Sequence, residues 1–198
     1  MKKIAVFLDR DGTINEDVGY PNSFDKIKIF PESFQAIKLI NNAGFLSIVV
    51  SNQAGVAMGI IKEEDLIEIH KKMGEIFLNN RVRIDAFYYC PFHPDYPYTK
   101  DGKKDLECRK PNTGMALQAQ KDFGIDLKES FMVGDKVEDI LFGKNIGAKC
   151  ILVLTGYGME SLNRLKESGI EPDFVAENVL DGVKWILNNF NKKNRRKR

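Results

Sequence analysis

The chain has 198 residues, of which 43% are hydrophobic and 29% are charged, an ordinary composition for a globular protein with one well-buried core. Six of its 30 basic residues lie in the segment 192–198, so residues 1–191 hold 24 basic and 28 acidic side chains, a net charge of −4. This balance excludes a basic footprint for nucleic acid from the body of the chain. We predict one domain over residues 1–191 and a basic, disordered tail over residues 192–198.

Membrane and secretion signals are missing from the sequence. No apolar run is long enough to cross a bilayer, and the apolar residues before Asp9 are too few for a signal peptide. Three cysteines are too few, and odd in number, for a disulfide framework. We therefore expect a reducing, cytoplasmic location and thiols that pack as small hydrophobic groups. We also expect a monomer without membrane or nucleic-acid partners.

Apolar, β-rich runs alternate with amphipathic helix patterns from end to end. The apolar runs predict strands at residues 4–9, 45–50, 84–89, 130–133, 149–154 and 173–175. The amphipathic segments predict helices at residues 32–43, 63–79, 113–123, 137–145 and 179–190. Such alternation is typical of right-handed βαβ units. The predicted fold class is therefore α/β, with a doubly wound, mainly parallel sheet.

Two acidic residues, Asp9 and Asp11, follow the first apolar run in the sequence Leu-Asp-Arg-Asp-Gly-Thr. Residues two apart in an extended segment point to the same side, so both carboxylates would face one crevice, with Thr13 close behind. Two carboxylates at such a short distance need a shared proton or a bound cation. The alternative is an Asp-Gly turn without any chemistry.

Three further polar clusters follow later strands. Residues 51–53 (Ser-Asn-Gln) offer hydroxyl and amide groups to a phosphate, or form a turn or helix cap. Residues 109–110 (Arg-Lys) offer two cations to phosphate groups, or form a solvated basic pair. After the fourth strand, Asp135 offers an oxygen ligand to Mg²⁺, with Asp139 one turn further on, or caps a helix together with Glu138.

The order of these clusters carries the interpretation. Each follows one of four successive strands, and the carboxyl ends of parallel strands share one crevice. Asp9, Asp11 and Asp135 would then supply the anionic oxygens for one Mg²⁺. Residues 51–52 and Lys110 would surround the anion that this cation attracts. The sequence therefore predicts phosphoryl transfer through an aspartate.

The four clusters resemble the signature motifs of the haloacid dehalogenase superfamily of phosphatases. Over residues 4–190 the chain is similar to the heptose bisphosphate phosphatase family, which is related to the histidinol-phosphate phosphatases. The segments that carry this similarity are Phe7–Asn15, Asp17–Tyr20, Ser51–Gln53, Tyr88–Pro91, Cys108–Pro111 and Val133–Asp139. The resemblance implies removal of the C7 phosphate of D-glycero-D-manno-heptose 1,7-bisphosphate, with histidinol phosphate or a polynucleotide end as alternative substrates.

The resemblance also implies roles for the matched residues. Asp9 would be the nucleophile and a Mg²⁺ ligand, and Asp11 the general acid–base, with its backbone oxygen on the metal. The other roles are Asp135 as metal ligand, Ser51 and Lys110 as stabilisers of the phosphoryl group, Thr13 and Asp139 as supporting residues, and Asp17, Val18, Gly19, Tyr20, Asn52, Gln53, Ala54, Arg109 and Lys136 as further substrate contacts. The chemistry requires the metal to keep Asp9 ionised while Asp11 holds a proton.

One departure from the family concerns zinc. Relatives carry a zinc site of the form Cys-x-His followed by Cys-x-Cys. Cys90 and Cys108 match it, but Phe92 and Leu106 occupy the other two positions, and His93 is displaced by one residue. Because a structural zinc needs four ligands, we predict no zinc and a loop held by packing of its apolar residues.

The spacing of the clusters leaves no room for a large cap domain. Only 39 residues separate Asp11 from Ser51, and 58 separate Ser51 from Lys110, and predicted helices and strands occupy most of both intervals. We expect an open crevice rimmed by residues 17–24 and 91–109. The irregular stretch 91–112, which includes the second rim, would select the substrate or form a plain surface loop. A non-catalytic phosphate-binding module, or an adaptor that docks through the basic tail, is the alternative to an enzyme.

Overall fold

A computed structural model describes residues 2–96 and 105–195, without the side chains of residues 192–195. Its centre is one sheet with the strands β1 (Ala5–Leu8), β2 (Leu46–Asn52), β3 (Ala86–Cys90), β4 (Phe131–Gly134), β5 (Lys149–Val153) and β6 (Phe174–Ala176). The strand order is β3-β2-β1-β4-β5-β6, and every neighbouring pair is parallel. The predicted α/β fold with a doubly wound parallel sheet is confirmed.

The helices of the described residues are α1 (Pro31–Asn42), α2 (Ala54–Ala57), α3 (Glu63–Asn79), α4 (Gly114–Phe123), α5 (Val137–Asn145), α6 (Gly158–Glu167) and α7 (Val179–Arg195). Two of them, α2 and α6, were not expected, because α2 is a single turn and α6 is mostly polar. Helix α7 runs past residue 190 to Arg195. Residues 196–198 lie outside the described residues, so the disordered tail stays a prediction.

Strand β1 shows how the core is built on both faces of the sheet. Ala5 and Phe7 pack into one apolar layer and Val6 and Leu8 into the other, and all four are fully buried. This alternation follows from the two-residue repeat of a strand, and a parallel sheet is apolar on both faces for that reason. Helices α1, α3 and α7 cover one face, and α4 and α5 cover the other.

The strand order places the polar loops of the sheet at one edge. Strand β1 lies between β2 and β4. Strands β2 and β3 extend the sheet on one side of β1, and β4, β5 and β6 extend it on the other. The backbone N–H of Asp9, just past β1, donates to the carbonyl of Val133 in β4 over 2.9 Å. A crevice therefore opens at the carboxyl ends of β1 and β4, as expected for such a switch point.

The connections between strands add little around this crevice. Within residues 2–96 and 105–195 they consist of single helices, short 3-10 turns and loops, without a separate cap domain. In the same ranges, none of the helices combines the length and the apolar composition that crossing a bilayer would require.

Two cysteines are joined rather than free. Cys90 ends β3 and Cys108 ends a 3-10 turn, and they form a disulfide with 5.3 Å between their Cα atoms. The expectation of three unpaired thiols is therefore wrong for this pair, while Cys150 is free and buried. A covalent link, not apolar packing alone, holds the ends of the segment 91–107. The disulfide also removes the cysteine-based argument for a reducing compartment, and the absence of zinc stays a prediction.

Thiol labelling under non-reducing conditions tests this bond. We expect native protein to take up no alkylating reagent, and denatured protein to be labelled at Cys150 only. Reduction should expose all three thiols and lower the free energy of unfolding by about 3 kcal/mol, the loop-closure value for a bridge of this span. Labelling of Cys90 and Cys108 in unreduced, denatured protein would contradict the bond, and zinc released at the same moment would show that a metal holds both thiols.

Candidate active site

A cleft of about 620 Å³ lies at the carboxyl edge of the sheet. It brings together most of the residues that the sequence singled out, namely Asp9, Asp11, Asp17, Gly19, Tyr20, Ser51, Asn52, Gln53, Ala54, Arg109, Lys110, Lys136 and Asp139. Three others lie outside its lining. Val18 is 37% exposed, whereas Thr13 and Asp135 are fully buried.

The ammonium group of Lys110 lies at the centre of the site. Its Nζ donates to Asp9 Oδ1 over 2.6 Å, to Asp139 Oδ1 over 2.5 Å and to the carbonyl of Val50 over 2.8 Å. Burial alone would lower the pKa of Lys110, but the charges of Asp139 and Asp9 raise it above its ordinary value. Lys110 is therefore a permanently charged group that faces both carboxylates.

The side chain of Asn52 fixes the backbone that carries Lys110. Its Nδ2 donates to the Lys110 carbonyl over 3.0 Å, and the Lys110 N–H donates to Asn52 Oδ1 over 2.9 Å. This reciprocal pair attaches the end of the 91–112 segment to the end of β2. Beside it, Arg109 Nη1 donates to the carbonyl of Phe92 over 3.0 Å. Asn52 lines the cleft as expected, but both ends of its amide are occupied by the protein.

Asp135 lies in a cradle of neutral groups. Thr13 Oγ1 donates to its Oδ1 over 3.3 Å, and the Tyr157 N–H donates to its Oδ2 over 2.8 Å. Gly12 and Gly156 have positive φ angles of 90° and 56°, and a Cβ on either would collide with the Asp135 carboxylate. Only glycine allows this backbone geometry and this close approach.

Three carboxylates meet next to Lys110. Oxygen atoms of Asp9, Asp135 and Asp139 lie within 4.8 Å of one another, and all three residues are buried. Asp139 is committed to the protein, because its Oδ2 accepts from the Lys136 N–H over 2.9 Å and its Oδ1 binds Lys110. Helix α5 is thus capped by Asp139 at its third residue, and not by Asp135 with Glu138.

This cluster fits a hard divalent cation. In the described residues Asp135 is a buried carboxylate that only neutral groups contact directly, with Asp9 beside it. Burial and the charges of Asp9 and Asp139 raise the pKa of Asp135 from 3.8 to about 8. Burial likewise raises the pKa of Asp9 to about 6, although Lys110 opposes the shift. Carboxylate oxygens short of positive charge are the ligands that Mg²⁺ selects.

Asp11 does not take part in that cluster through its carboxylate, contrary to our expectation. Its Oδ1 accepts from Arg10 Nε over 3.0 Å and from Asn15 Nδ2 over 2.9 Å. Its Oδ2 accepts from Arg10 Nη2 over 2.7 Å and from Gln53 Nε2 over 2.9 Å. The guanidinium fork of Arg10 therefore holds the Asp11 carboxylate, and Asp139 is the third member of the cluster.

In the metal-free site the pKa values of the two acids are ordered opposite to the protonation states expected with the metal bound, which stay a prediction. Burial would raise the pKa of Asp11, but the charge and hydrogen bonds of Arg10, with further bonds from Asn15 and Gln53, lower it below 3.8. Asp9 has the raised pKa instead. Without a metal, the carboxylate that we expected to hold a proton is thus the more acidic of the two. The main reason is Arg10, whose charge and hydrogen bonds oppose the effect of burial on the Asp11 pKa.

Gln53 connects Asp11 with the proposed phosphate-binding hydroxyl. Its Nε2 donates to Asp11 Oδ2 over 2.9 Å and to Ser51 Oγ over 2.7 Å. Because Ser51 Oγ accepts this bond, its own hydrogen is available to an anion in the cleft. Gln53 is 5% exposed, so it orients Ser51 and Asp11 more than it meets the solvent.

Three residues near the site were not singled out from the sequence. Arg10 stands between the two acids, where the strand repeat would point it away from them. His70 lies on the apolar stripe of α3, which predicts a core residue. Tyr157 follows β5 without any motif, yet its ring lines the cleft, with Lys136 Nζ 5.1 Å from the ring centroid. A charged residue inside the Asp9–Asp11 pair was the one available signal.

Comparison with known proteins gives a consistent picture. A HAD-hydrolase-like family model matches residues 107–182. The D-glycero-D-manno-heptose-1,7-bisphosphate 7-phosphatase of Chlorobaculum tepidum is 37% identical over 185 residues, which are 90% of this chain and 92% of that protein. The D-glycero-beta-D-manno-heptose-1,7-bisphosphate 7-phosphatase of Pasteurella multocida is 39% identical over 192 residues, 94% of this chain and 97% of that protein.

A solved structure has the same architecture. The D,D-heptose 1,7-bisphosphate phosphatase from B. bronchiseptica, complexed with magnesium and phosphate, matches with a TM-score of 0.80 and 31% identity. The match covers 96% of this chain and 99% of that one. The shared fold therefore extends over the whole sheet and the cleft at its carboxyl edge.

Substitution of Asp135 tests the cation site without an activity assay. We expect Asp135→Asn to raise the melting temperature of chelator-treated protein, by roughly 2–4 °C for each kcal/mol of repulsion that is relieved. The same variant should lose the increase in melting temperature that Mg²⁺ gives the unsubstituted protein. Asp95→Asn is the control, since the Asp95 side chain is 81% exposed. A full magnesium response in Asp135→Asn would place the ion elsewhere.

Proposed function

Because the chain belongs to the haloacid dehalogenase superfamily of phosphatases and, within it, to the heptose bisphosphate phosphatase family, we propose that it removes the C7 phosphate of D-glycero-D-manno-heptose 1,7-bisphosphate. One observation supports this substrate above all. The cleft holds a deep cation, Lys110, and two more at its wall, Arg109 and Lys136. A bisphosphate needs two anion sites, and this arrangement offers both.

We propose Mg²⁺ as the cofactor, held by the carboxylates of Asp9 and Asp135 and by the backbone oxygen of Asp11. The ion would supply charge neutralisation at the phosphoryl oxygens. Lys110 would also neutralise charge on the phosphoryl group, and its three hydrogen bonds set its position before substrate binds. Ser51 adds a neutral donor, because Gln53 leaves its hydroxyl hydrogen available.

The proposed reaction has two displacements at phosphorus. Asp9 attacks in line, the P–O bond to the sugar breaks, and an aspartyl-phosphate forms. The sugar oxygen leaves with a proton from Asp11, so the alcohol departs neutral. Water, deprotonated by Asp11, then attacks the phosphorus of the aspartyl-phosphate and releases inorganic phosphate and the Asp9 carboxylate. Asp11 thereby recovers the proton that it gave away.

The observed contacts set a condition on the first displacement. Both oxygens of Asp11 already accept two hydrogen bonds each. Asp11 must therefore give up at least one of these bonds, and take up a proton on that oxygen, before it acts as an acid. Oδ2 is the candidate, because its donor Gln53 Nε2 also contacts Ser51 Oγ and has a second partner to keep.

A parallel assay of two substrates tests the proposal. We expect hydrolysis of heptose 1,7-bisphosphate with a kcat/KM at least about tenfold above that of histidinol phosphate, because only the bisphosphate engages both anion sites. Asp9→Asn should fold but release no phosphate from either substrate. Faster hydrolysis of histidinol phosphate would replace the proposed substrate, and turnover by Asp9→Asn would remove the nucleophile.

The second anion site is tested through Arg109. We expect Arg109→Ala to raise KM for the bisphosphate roughly tenfold or more, the value of a charge-assisted hydrogen bond. KM for a monophosphate that binds through Lys110 alone should change little. Arg164→Ala removes the same charge from an exposed position on α6 and serves as the control. Equal effects of Arg109→Ala on both substrates would deprive Arg109 of its role at the second phosphate.

A further inference from the structure

A histidine outside the cleft is connected to Asp11 through one buried cation. Arg10 is fully buried, and its guanidinium contacts acceptors on three sides. Nε and Nη2 donate to the Asp11 carboxylate, and Nη2 also donates to Gln53 Oε1 over 3.2 Å. Nη1 lies 3.0 Å from His70 Nε2. Among the described residues, the acceptor that contacts Nη1 is the ring of His70.

The direction of the hydrogen bond fixes the form of the imidazole. A guanidinium has only donors, so His70 Nε2 must carry a lone pair and its proton must sit on Nδ1. Burial, and then the charge of Arg10, lower the pKa of His70 to about 3. A neutral ring that accepts from Arg10 agrees with this environment.

The ring of His70 is itself held in place. It stacks on Phe87 of β3, with 5.0 Å between ring centroids and an interplanar angle of 17°, and it packs against Tyr89 at 5.7 Å. The side chain is 6% exposed and projects from the buried stripe of α3. The ring is thus held by packing on β3 and by its place on α3, so its Nε2 is a fixed acceptor for the guanidinium of Arg10.

We propose that His70 is a positioning residue for the phosphatase reaction: its neutral Nε2 holds the guanidinium of Arg10, and Arg10 holds the carboxylate of Asp11 where it meets the leaving oxygen. The proposal rests on the proposed role of Asp11 as the acid–base. Without the acceptor, Nη1 would have to move to find another partner. The fork would rotate, and the Asp11 carboxylate would rotate with it.

The tautomer of His70 is the first test, and it needs no substrate. The chain has two histidines, so nitrogen NMR of the unsubstituted protein and of a His93→Gln variant assigns both rings. We expect His70 to be neutral at neutral pH, with the proton on Nδ1 and Nε2 unprotonated. A proton on Nε2 would overturn the proposal, because that nitrogen could not accept from Arg10.

Kinetics of matched variants are the second test. We expect His70→Leu to lower kcat/KM for heptose bisphosphate, whose leaving group is an alkoxide, roughly tenfold or more. The loss for p-nitrophenyl phosphate should stay under about threefold, because a phenolate leaves with little help from an acid. His70→Gln, which retains an acceptor oxygen, should restore most of the activity. Equal losses on both substrates, or no rescue by His70→Gln, would reduce His70 to a packing residue.

Two controls separate this inference from the proposed function. Asp11→Asn is assayed on the same two substrates, and it should show the leaving-group dependence in a larger form. If the loss of activity in Asp11→Asn does not depend on the leaving group, the proposed acid role of Asp11 is refuted, independently of the result for His70. If Asp11→Asn shows it and His70→Leu does not, the inference on His70 alone fails. Failure of the unsubstituted protein on heptose bisphosphate would refute the substrate, and the tautomer test would still decide on the contact.

Discussion

The ammonium group of Lys110 is the contact on which the geometry of the site depends. Its three hydrogen bonds join the residue after β1, the backbone of β2 and the first turn of α5. The residue itself arrives at the end of a long segment, so this one group connects four parts of the chain. Burying an ammonium is unfavourable unless it is paired, and here two carboxylates and a carbonyl pair it. Loss of Lys110 would leave the buried carboxylates of Asp9 and Asp139 without the cation that contacts them directly.

The carboxylates of the site differ in which cation, if any, forms an ion pair with them. Lys110 serves Asp9 and Asp139, Arg10 serves Asp11, and Lys136 pairs with Asp17 over 3.1 Å. Asp135 has neutral donors only. Asp135 is therefore the one carboxylate of this group, within the described residues, that no protein cation contacts by a hydrogen bond or ion pair. Chemically similar residues thus acquire different tasks from their neighbours.

Much of this arrangement follows from the sequence, and the exceptions have physical reasons. The strands were predictable because a parallel sheet is apolar on both faces, and the cleft because polar residues follow the strand ends. The orientation of Asp11 was not predictable, because the backbone bends at Arg10 just after β1, so the two-residue repeat no longer relates Asp11 to Asp9. The helical spacing of His70 predicts a core position, but it cannot predict that the Nε2 atom of the ring contacts Arg10. Helix α6 was not predicted because only a narrow face of it is buried, and that face is mostly not apolar.

The Cys90–Cys108 bond shows the same limit. Pairing depends on where β3 ends relative to a turn 18 residues later, and a count of cysteines carries no information on that distance. The fold brings the two positions together, although the sequence between them includes residues outside the described ranges.

The central place of β1 has a consequence for how the protein comes into being on the ribosome. Asp9 is synthesised before both partners of its strand, β2 and β4, the second of which ends at Gly134. The Asp9 carboxylate, the Lys110 ammonium and the position beside Asp135 are thus brought together only after β4 has emerged. Until then the apolar residues of β1 and the carboxylate of Asp9 lack part of their native surroundings, and the site is incomplete.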